Sequence, residues 1–306
     1  MRHLCRKSDK GFEGWYFKHQ AGNEMIAFIP GRAESGPFIQ MIGNCGARHF
    51  DVPGLSIDNH GIHAGNCLFS PSGCKIDLPG IRGSIAYGRL TPLCSDIMGP
   101  FRHLPMECRH GVISMAHSLS GSLKIDGQMH CFNHGTGYIE KDSGTSFPSS
   151  YLWLQCNDFP ERCSVMVSVA HIPIYGVHFT GCICAILYKD HEYRLATYRR
   201  VHIHKADSKQ ICLSQGKLLL NITIKSPTDS HPLRAPVSGR MSRTIRENTN
   251  TCVHVRLWDH GMPVIDLHSA HAAFEFAPAI PGSYQCGQAS FPVTATQDRQ
   301  EYFYPE

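Results

Sequence analysis

The stretch Gly137-Tyr138-Ile139-Glu140-Lys141-Asp142-Ser143-Gly144-Thr145-Ser146-Phe147-Pro148 runs into Tyr151-Leu152-Trp153-Leu154-Gln155-Cys156-Asn157. It sets an acid, a base, a second acid and a tight turn against an aromatic strand. Charges of both signs beside apolar surface are costly unless they pair or do chemistry. Side chains alternate along a strand, so Glu140 and Asp142 face one way and Lys141 the other. Two acids on one face are compatible with a raised pKa for one of them.

The same strand-length rhythm extends outward in both directions. Before the stretch, apolar or alternating runs fall at 25–29, 38–42, 81–87, 111–119, 121–125 and 128–132. Ser120-Gly121 and Asp126-Gly127 read as hairpin turns. After it, runs fall at 151–156, 163–171, 181–188, 193–204, 217–224, 252–257 and 263–276. With 28 glycines and 19 prolines spread along 306 residues, short strands joined by turns are expected throughout. One short helix is expected at 101–108, behind Pro100 and broken by Pro105. The polar, Pro-bearing segment 225–250 reads as a surface loop, and the tail from Ala277 as a segment that wraps or frays.

A chain of this length exceeds the comfortable limit of one core. Two groups of strands therefore suggest an all-β protein of two antiparallel sheets, each curled into a barrel. The boundary falls near Asn133, giving an N-terminal barrel over residues 1–132 and a C-terminal barrel over 133–306. No window approaches a membrane span. The basic N-terminus lacks the apolar core of a secretory signal, so the expected location is the cytoplasm. Fourteen irregularly spaced cysteines, with no Cys-x-x-Cys, read as small buried hydrophobes. A formal charge of +4 without a basic block argues against nucleic acid as a partner.

The stretch from Glu140 to Pro148, with its aromatic strand ending Gln155-Cys156-Asn157, resembles the signature of the tocopherol cyclase-like family. A second match is Gly11-Phe12-Glu13-Gly14-Trp15-Tyr16-Phe17-Lys18. The resemblance implies two lipocalin-like β-barrels in tandem and a cofactor-free reaction. Tocopherol cyclases protonate a prenyl alkene and capture the tertiary cation with a phenol oxygen. Carotenoid hydratases and pericyclase-like enzymes are implied by the same architecture. Such chemistry needs an acid that keeps its proton, a dry cavity, and aromatic faces or a carboxylate near the cation.

On this view Glu140, Asp142 and Glu13 are the candidate acids, with Glu140 or Asp142 as the leading donor, and Lys141 orients or pairs with them. Trp15, Tyr16, Lys18, Ser143, Phe147, Tyr151 and Trp153 are the candidate substrate-binding residues. Trp15 and Phe17 are also expected to fill a core, closing the first barrel. Ser143 departs from the family pattern, which has Trp there, and removes a large apolar wall. The expected partner is a hydrophobic small molecule, a prenylated aromatic or other isoprenoid, with peripheral membrane contact as a route of access.

Two alternatives stand beside the cyclase. The protein is a non-catalytic isoprenoid or lipid carrier, since a barrel holds a small ligand without special residues, or the Glu-Lys-Asp segment is a structural junction held by salt bridges. A carboxylate facing an apolar cavity separates catalyst from carrier. Among twenty histidines, His202-x-His204, Cys182-x-Cys184 and the group His60, His63 and Cys67 lack the spacing of a metal centre, so no metal is expected. No nucleophile elbow, dinucleotide fingerprint or P-loop occurs, which fits the absence of a cofactor.

Overall fold

A computed structural model describes residues 11–44, 46–174, 177–225 and 230–278. The N-terminal ten residues and the Pro- and Gly-rich tail lie outside this range.

The first sheet contains β1 (Phe12–Ala21), β2 (Glu24–Ala33), β3 (Gly36–Gly43), β4 (Gly46–Asp51), β5 (Leu55–Ile57), β6 (Ile62–Ala64), β7 (Cys67–Ser70), β8 (Gly73–Leu78), β9 (Ile81–Tyr87), β10 (Cys108–Ile125), β11 (Gln128–Cys131) and β12 (Thr136–Gly144). Its order is β4-β3-β2-β1-β12-β10-β9-β8-β7-β6-β5, with β11 paired to β10. The second contains β13 (Tyr151–Cys156), β14 (Cys163–Ile174), β15 (Val177–Tyr188), β16 (His191–Ala196), β17 (His202–Ala206), β18 (Gln210–Gln215), β19 (Leu218–Lys225), β20 (His231–Val237), β21 (Arg240–Asp259) and β22 (Met262–Ala277). Its order is β16-β15-β14-β13-β22-β21-β19-β18-β17, with β20 paired to β21. In each sheet the two end strands are consecutive in the chain, so each sheet curls back on itself. The architecture is all-β: two tandem antiparallel lipocalin-like barrels.

The change from one sheet to the other falls between Gly144 and Tyr151, not near Asn133. The Glu140–Asp142 strand pairs with β1 on one side and β10 on the other, which binds it into the first sheet. Three other expectations are corrected. The described part of segment 225–250 is mostly strand, since β20 and the first half of β21 lie in it. Its prolines are tolerated because β20 pairs only with β21, and Pro236 sits at a bulge. Gly121 is no turn but a point within β10, where a Cβ would lie 2.3 Å from the Ser84 carbonyl oxygen. The expected helix is a 3-10 turn over Gly99–His103, ended by Leu104 in extended backbone before Pro105.

Alternation along the strands divides the apolar residues among three cores. Trp15, Phe17 and Ile139 point into the first barrel, where Trp15 and Phe17 were expected. Leu152, Leu154 and Cys156 point into the second. The opposite faces of the same strands, with Tyr16, Tyr138, Tyr151 and Trp153, meet in a third core between the barrels. This explains why β13 is buried at every position instead of alternating with polar residues.

Gly144-Thr145-Ser146-Phe147-Pro148 is a docking loop. The amides of Thr145 and Ser146 donate to the Glu107 carbonyl (2.8 and 3.2 Å), and the Phe147 amide donates to that of Pro236 (3.1 Å). Gly239 donates to the Thr145 carbonyl (2.6 Å), and Ser238 to the Ser146 hydroxyl (2.9 Å). The hairpin joining β20 to β21 is thereby held across the two barrels. Gly144 adopts φ +153°, and a Cβ there would lie 2.0 Å from the Glu107 carbonyl oxygen.

Gly144→Ala is therefore expected to cost on the order of 2–3 kcal/mol of stability, through backbone strain and a broken turn. Gly111→Ala, where the nearest atom is 3.8 Å away, should cost under about 1 kcal/mol. Thermal melts of the two variants check this; equal losses would contradict it.

Candidate active site

The site grows from two rows of residues on facing walls. In the first sheet Gly14 lies opposite Asp142, which lies opposite His110; the next row is Tyr16, Glu140 and Val112. In the second sheet Trp153 lies opposite Glu275, which lies opposite Glu247. Alternation turns all these acids into the space between the barrels. The Tyr16 hydroxyl donates to Glu247 Oε1 (2.6 Å) and joins the walls, while its ring meets Trp153 edge-on at 5.4 Å.

Between the walls lies a cavity of about 170 Å³, lined mainly by apolar side chains such as Phe12, Phe38, Phe101, Phe147, Tyr151 and Trp153. Glu140, Asp142, His110 and Glu275 reach it. Phe147 packs edge-on against both Phe12 and Tyr151. Met98 and Phe101 close one side from the segment before β10. Arg194 fixes that segment by donating to the carbonyls of Ser95 and Asp96 (both 3.1 Å).

The environment sorts the acids. Burial lifts the pKa of Glu275 to about 8, and the charges of Glu140 and Asp142 add to this; the Tyr151 hydroxyl, donating to Oε2 at 2.5 Å, and Arg243 work against it. Burial and the neighbouring Glu275 lift Glu247 to about 8, opposed by the Tyr16 bond and Lys18. Burial raises Glu140 to about 7; Asp142 adds to this, while His110 and the donors Tyr138 and Trp153 oppose it. The Tyr138 hydroxyl lies 2.6 Å from Glu140 Oε2. Burial disfavours charge on His110, but Glu140, Asp142 and the Asp142 hydrogen bond overcome it and hold the imidazole near 9. Its Nδ1 lies 2.8 Å from Asp142 Oδ1, and its Nε2 lies 3.4 Å from Glu140 Oε2. At neutral pH the cavity thus faces a neutral carboxylic acid at Glu275 and an imidazolium held between two acids.

The sequence-derived candidates divide by strand face. Glu140, Asp142, Tyr16, Phe147, Tyr151 and Trp153 line the cavity. Glu13, Lys141 and Trp15 do not, because they occupy the opposite face of β1 and β12. There Glu13 pairs with Arg32 (2.6 Å) and with Lys141, whose ammonium lies 4.8 Å from the Trp15 ring centre. Ser143 shares that face parity, so the residue at the family Trp position is not part of the cavity wall. Lys18 is fully buried between the barrels, donating to Gln155 Oε1 (2.9 Å) and the His271 carbonyl (3.3 Å), outside the cavity lining. Burial lowers its pKa.

His110, Glu247 and Glu275 are additions that sequence reasoning missed. Glu275 carried a signal, being an acid inside the apolar run Ala272-Ala273-Phe274-Glu275-Phe276. Glu247 was hidden by the loop assignment of 225–250. His110 became relevant only through pairing of β10 with β12.

Among the described residues two groups set three potential metal donors within 4.8 Å of one another: His110, Glu140 and Asp142 in the cavity, and His254, Asp266 and His268 on the surface of the second barrel. Spacing in the sequence showed neither group. In the first, the carboxylates flank the ring on opposite nitrogens, an arrangement that suits a held proton better than donors converging on one ion. Among the described residues no helix is long and apolar enough to cross a membrane.

A cavity with retained protons between two lipocalin-like barrels defines a class of small-molecule-handling proteins. Residues 80–277 match the tocopherol cyclase-like family, and the chain belongs to it. No curated protein matches in sequence. Solved structures with the same fold include CghA with Sch210972, at 12% identity and a TM-score of 0.58 over 88% of this chain and 89% of that one. Kievitone hydratase from Nectria haematococca is similar at 10% identity and a TM-score of 0.51, over 88% of this chain and 90% of that one.

The acids make a prediction about stability. The folded chain holds protons on Glu140 up to about pH 7, on Glu247 and Glu275 up to about 8 and on His110 up to about 9, where the unfolded chain has already released them, so stability falls as pH rises from about 6.5 to 9. Lys18 acts in the opposite sense, as do His19 and His117 at the lower edge of this range, while buried thiols such as Cys108 and Cys184 add to the fall at its upper edge. Denaturation midpoints should therefore drop from pH 6.5 to 9, with a shallower drop in the Glu247→Gln, Glu275→Gln double variant. A midpoint that rises with pH would refute the assignment.

Proposed function

We propose that this protein catalyses an acid-promoted, cofactor-free cyclisation of a prenylated hydroquinone or similar hydrophobic isoprenoid. A neutral carboxylic acid, Glu275, facing an apolar cavity carries this reading. A carrier needs no such group, and burying one without purpose costs stability.

Glu275 delivers its proton to the less substituted carbon of a prenyl alkene. The alkene's electron pair forms the new C–H bond and leaves a tertiary cation. Trp153 and Tyr151 offer π faces to that cation, and the Glu275 carboxylate formed in the step adds electrostatic stabilisation, itself held by the Tyr151 hydroxyl and Arg243. The phenol oxygen closes the ring on the cation and loses its proton to the Glu140 carboxylate. One proton enters and one leaves, so the reaction is an isomerisation. Return of the proton to Glu275 by way of solvent resets the site. The charge of His110, fixed by Asp142, opposes the burial that lifts Glu140, so Glu140 gives up its proton more readily than Glu275 and the two acids take opposite parts. Asp142 therefore orients and Glu140 accepts, while the donor comes from the second barrel. With water in place of the phenol, the same acid would support hydration.

The test is incubation of purified protein with a panel of prenylated hydroquinones in deuterated water, followed by mass spectrometry. A product of shifted retention carrying one non-exchangeable deuterium is expected. Glu275→Gln should lower turnover by about 10²–10⁴-fold with little change in substrate affinity, and Glu13→Gln should leave turnover unchanged. Full activity of Glu275→Gln would remove it as the donor. A prenyl compound that binds tightly but gains no deuterium would favour the carrier.

A further inference from the structure

The paired part of β20 and β21 carries four arginines. Arg240 pairs with Glu34 (2.5 Å). Arg243 donates to the carbonyls of Pro148 (2.8 Å) and Ser149 (2.9 Å). Arg246 donates to the Ser230 hydroxyl (2.7 Å) and carbonyl. Arg234 differs from these three. Its guanidinium makes no ion pair or hydrogen bond among the described residues, although it lines the cavity.

Its backbone is nonetheless fixed. Gln40, buried in β3 of the first sheet, accepts from the Arg234 amide at 2.7 Å and donates to the Arg234 carbonyl at 3.0 Å. A side-chain amide thus acts as a short piece of strand and locks Arg234 across the two barrels. Beside it, Phe38 and His49 stack with ring centres 5.6 Å apart, and Phe38 also lines the cavity. His49 is kept neutral first by desolvation and then by the charge of Arg234. Asp51, an acid on this side, is engaged by His49 Nε2 at 3.2 Å and makes no ion pair with Arg234. The mouth therefore holds a positioned, exposed cation beside an aromatic platform. The interior holds Glu140, Asp142 and Glu275.

We infer that Arg234 is an anion anchor at the mouth of the cavity, and that the ligand is an amphiphile carrying a carboxylate or similar monoanionic group on an otherwise apolar body. This rests on the cavity being the ligand site, as proposed above. Inside, both ring nitrogens of His110 are already faced by carboxylates, Glu140 and Asp142, so that cation is engaged and the charged end stays on Arg234 while the apolar part enters. A guanidinium presents paired N–H donors to such a group, and anchoring the charged end there fixes which end of the ligand meets Glu275.

Two fluorescent probes test this, 8-anilinonaphthalene-1-sulfonate and N-phenyl-1-naphthylamine, which differ by the sulfonate. Wild-type protein should bind the sulfonate about tenfold more tightly than the neutral probe, as expected for one charge-assisted contact. Arg234→Gln should abolish that preference while leaving the affinity for the neutral probe unchanged, and Arg234→Lys should retain part of it. Equal wild-type affinities, or a preference that survives Arg234→Gln, would overturn the anchor and leave the cavity as the ligand site. If neither probe binds, the anchor falls together with the cavity reading.

Discussion

A single hydrogen bond across the barrels, from the Tyr16 hydroxyl to Glu247, expresses the constraint on which the site depends. Each barrel fills its own interior with aliphatic and aromatic side chains. The walls that face each other must then be buried on both sides. Apolar residues cover most of this surface, but the rows at its centre carry Glu140, Glu247 and Glu275. Ionised carboxylates there would be severely penalised by desolvation. The tyrosine donors Tyr16, Tyr138 and Tyr151 stabilise them, and part of the remaining cost is avoided by retaining protons. Proton retention, which is the property an acid catalyst needs, thus follows from the way two filled barrels pack.

Much of the fold was legible because its signal is local. Alternation, turn residues and the lack of long helical periodicity were enough to indicate two antiparallel barrels. The division between the sheets was misplaced for a non-local reason: a strand's neighbours are set by pairing, and β12 joins β1 from the far end of the first half. The 225–250 segment was misread because prolines suggest loops, whereas an edge strand and a bulge accommodate them. At the site, alternation within the signature correctly separates Glu140 and Asp142 from Lys141. It places Ser143 with Lys141, so the missing family Trp removes nothing from this cavity. What could not be seen was which strand would stand opposite. His110 and Glu275 are brought to the signature by cross-strand and cross-barrel packing alone.

The two halves of the signature do different work. Glu140 and Asp142 put acids on the face that meets the second barrel, while the run from Gly144 to Pro148 supplies backbone groups that hold the hairpin of β20 and β21. The structural junction and the acid site are therefore parts of one device. The hairpin contributes Leu233, Arg234, Pro236, Met241 and Ile245 to the cavity wall. Loosening the docking loop would open that wall to water, and water traps cations and weakens the fields on which buried acids depend.

Neither barrel possesses the site alone. The first supplies the Glu140–His110–Asp142 set, and the second supplies Glu275 with Trp153 and Tyr151. The pKa of Glu275 is raised partly by charges on the first barrel's Glu140 and Asp142, so separating the barrels would change its protonation as well as its position. Solvent entering between them would remove the desolvation that contributes most to the shift. The acid cluster consequently belongs to the contact between the barrels rather than to either interior. A lipocalin barrel usually places its ligand in the mouth of the barrel, but here both interiors are filled and the cavity has moved to the seam. At that seam, two strand rows from different sheets can face each other with unlike environments, giving two carboxyl groups that hold their protons with different strength.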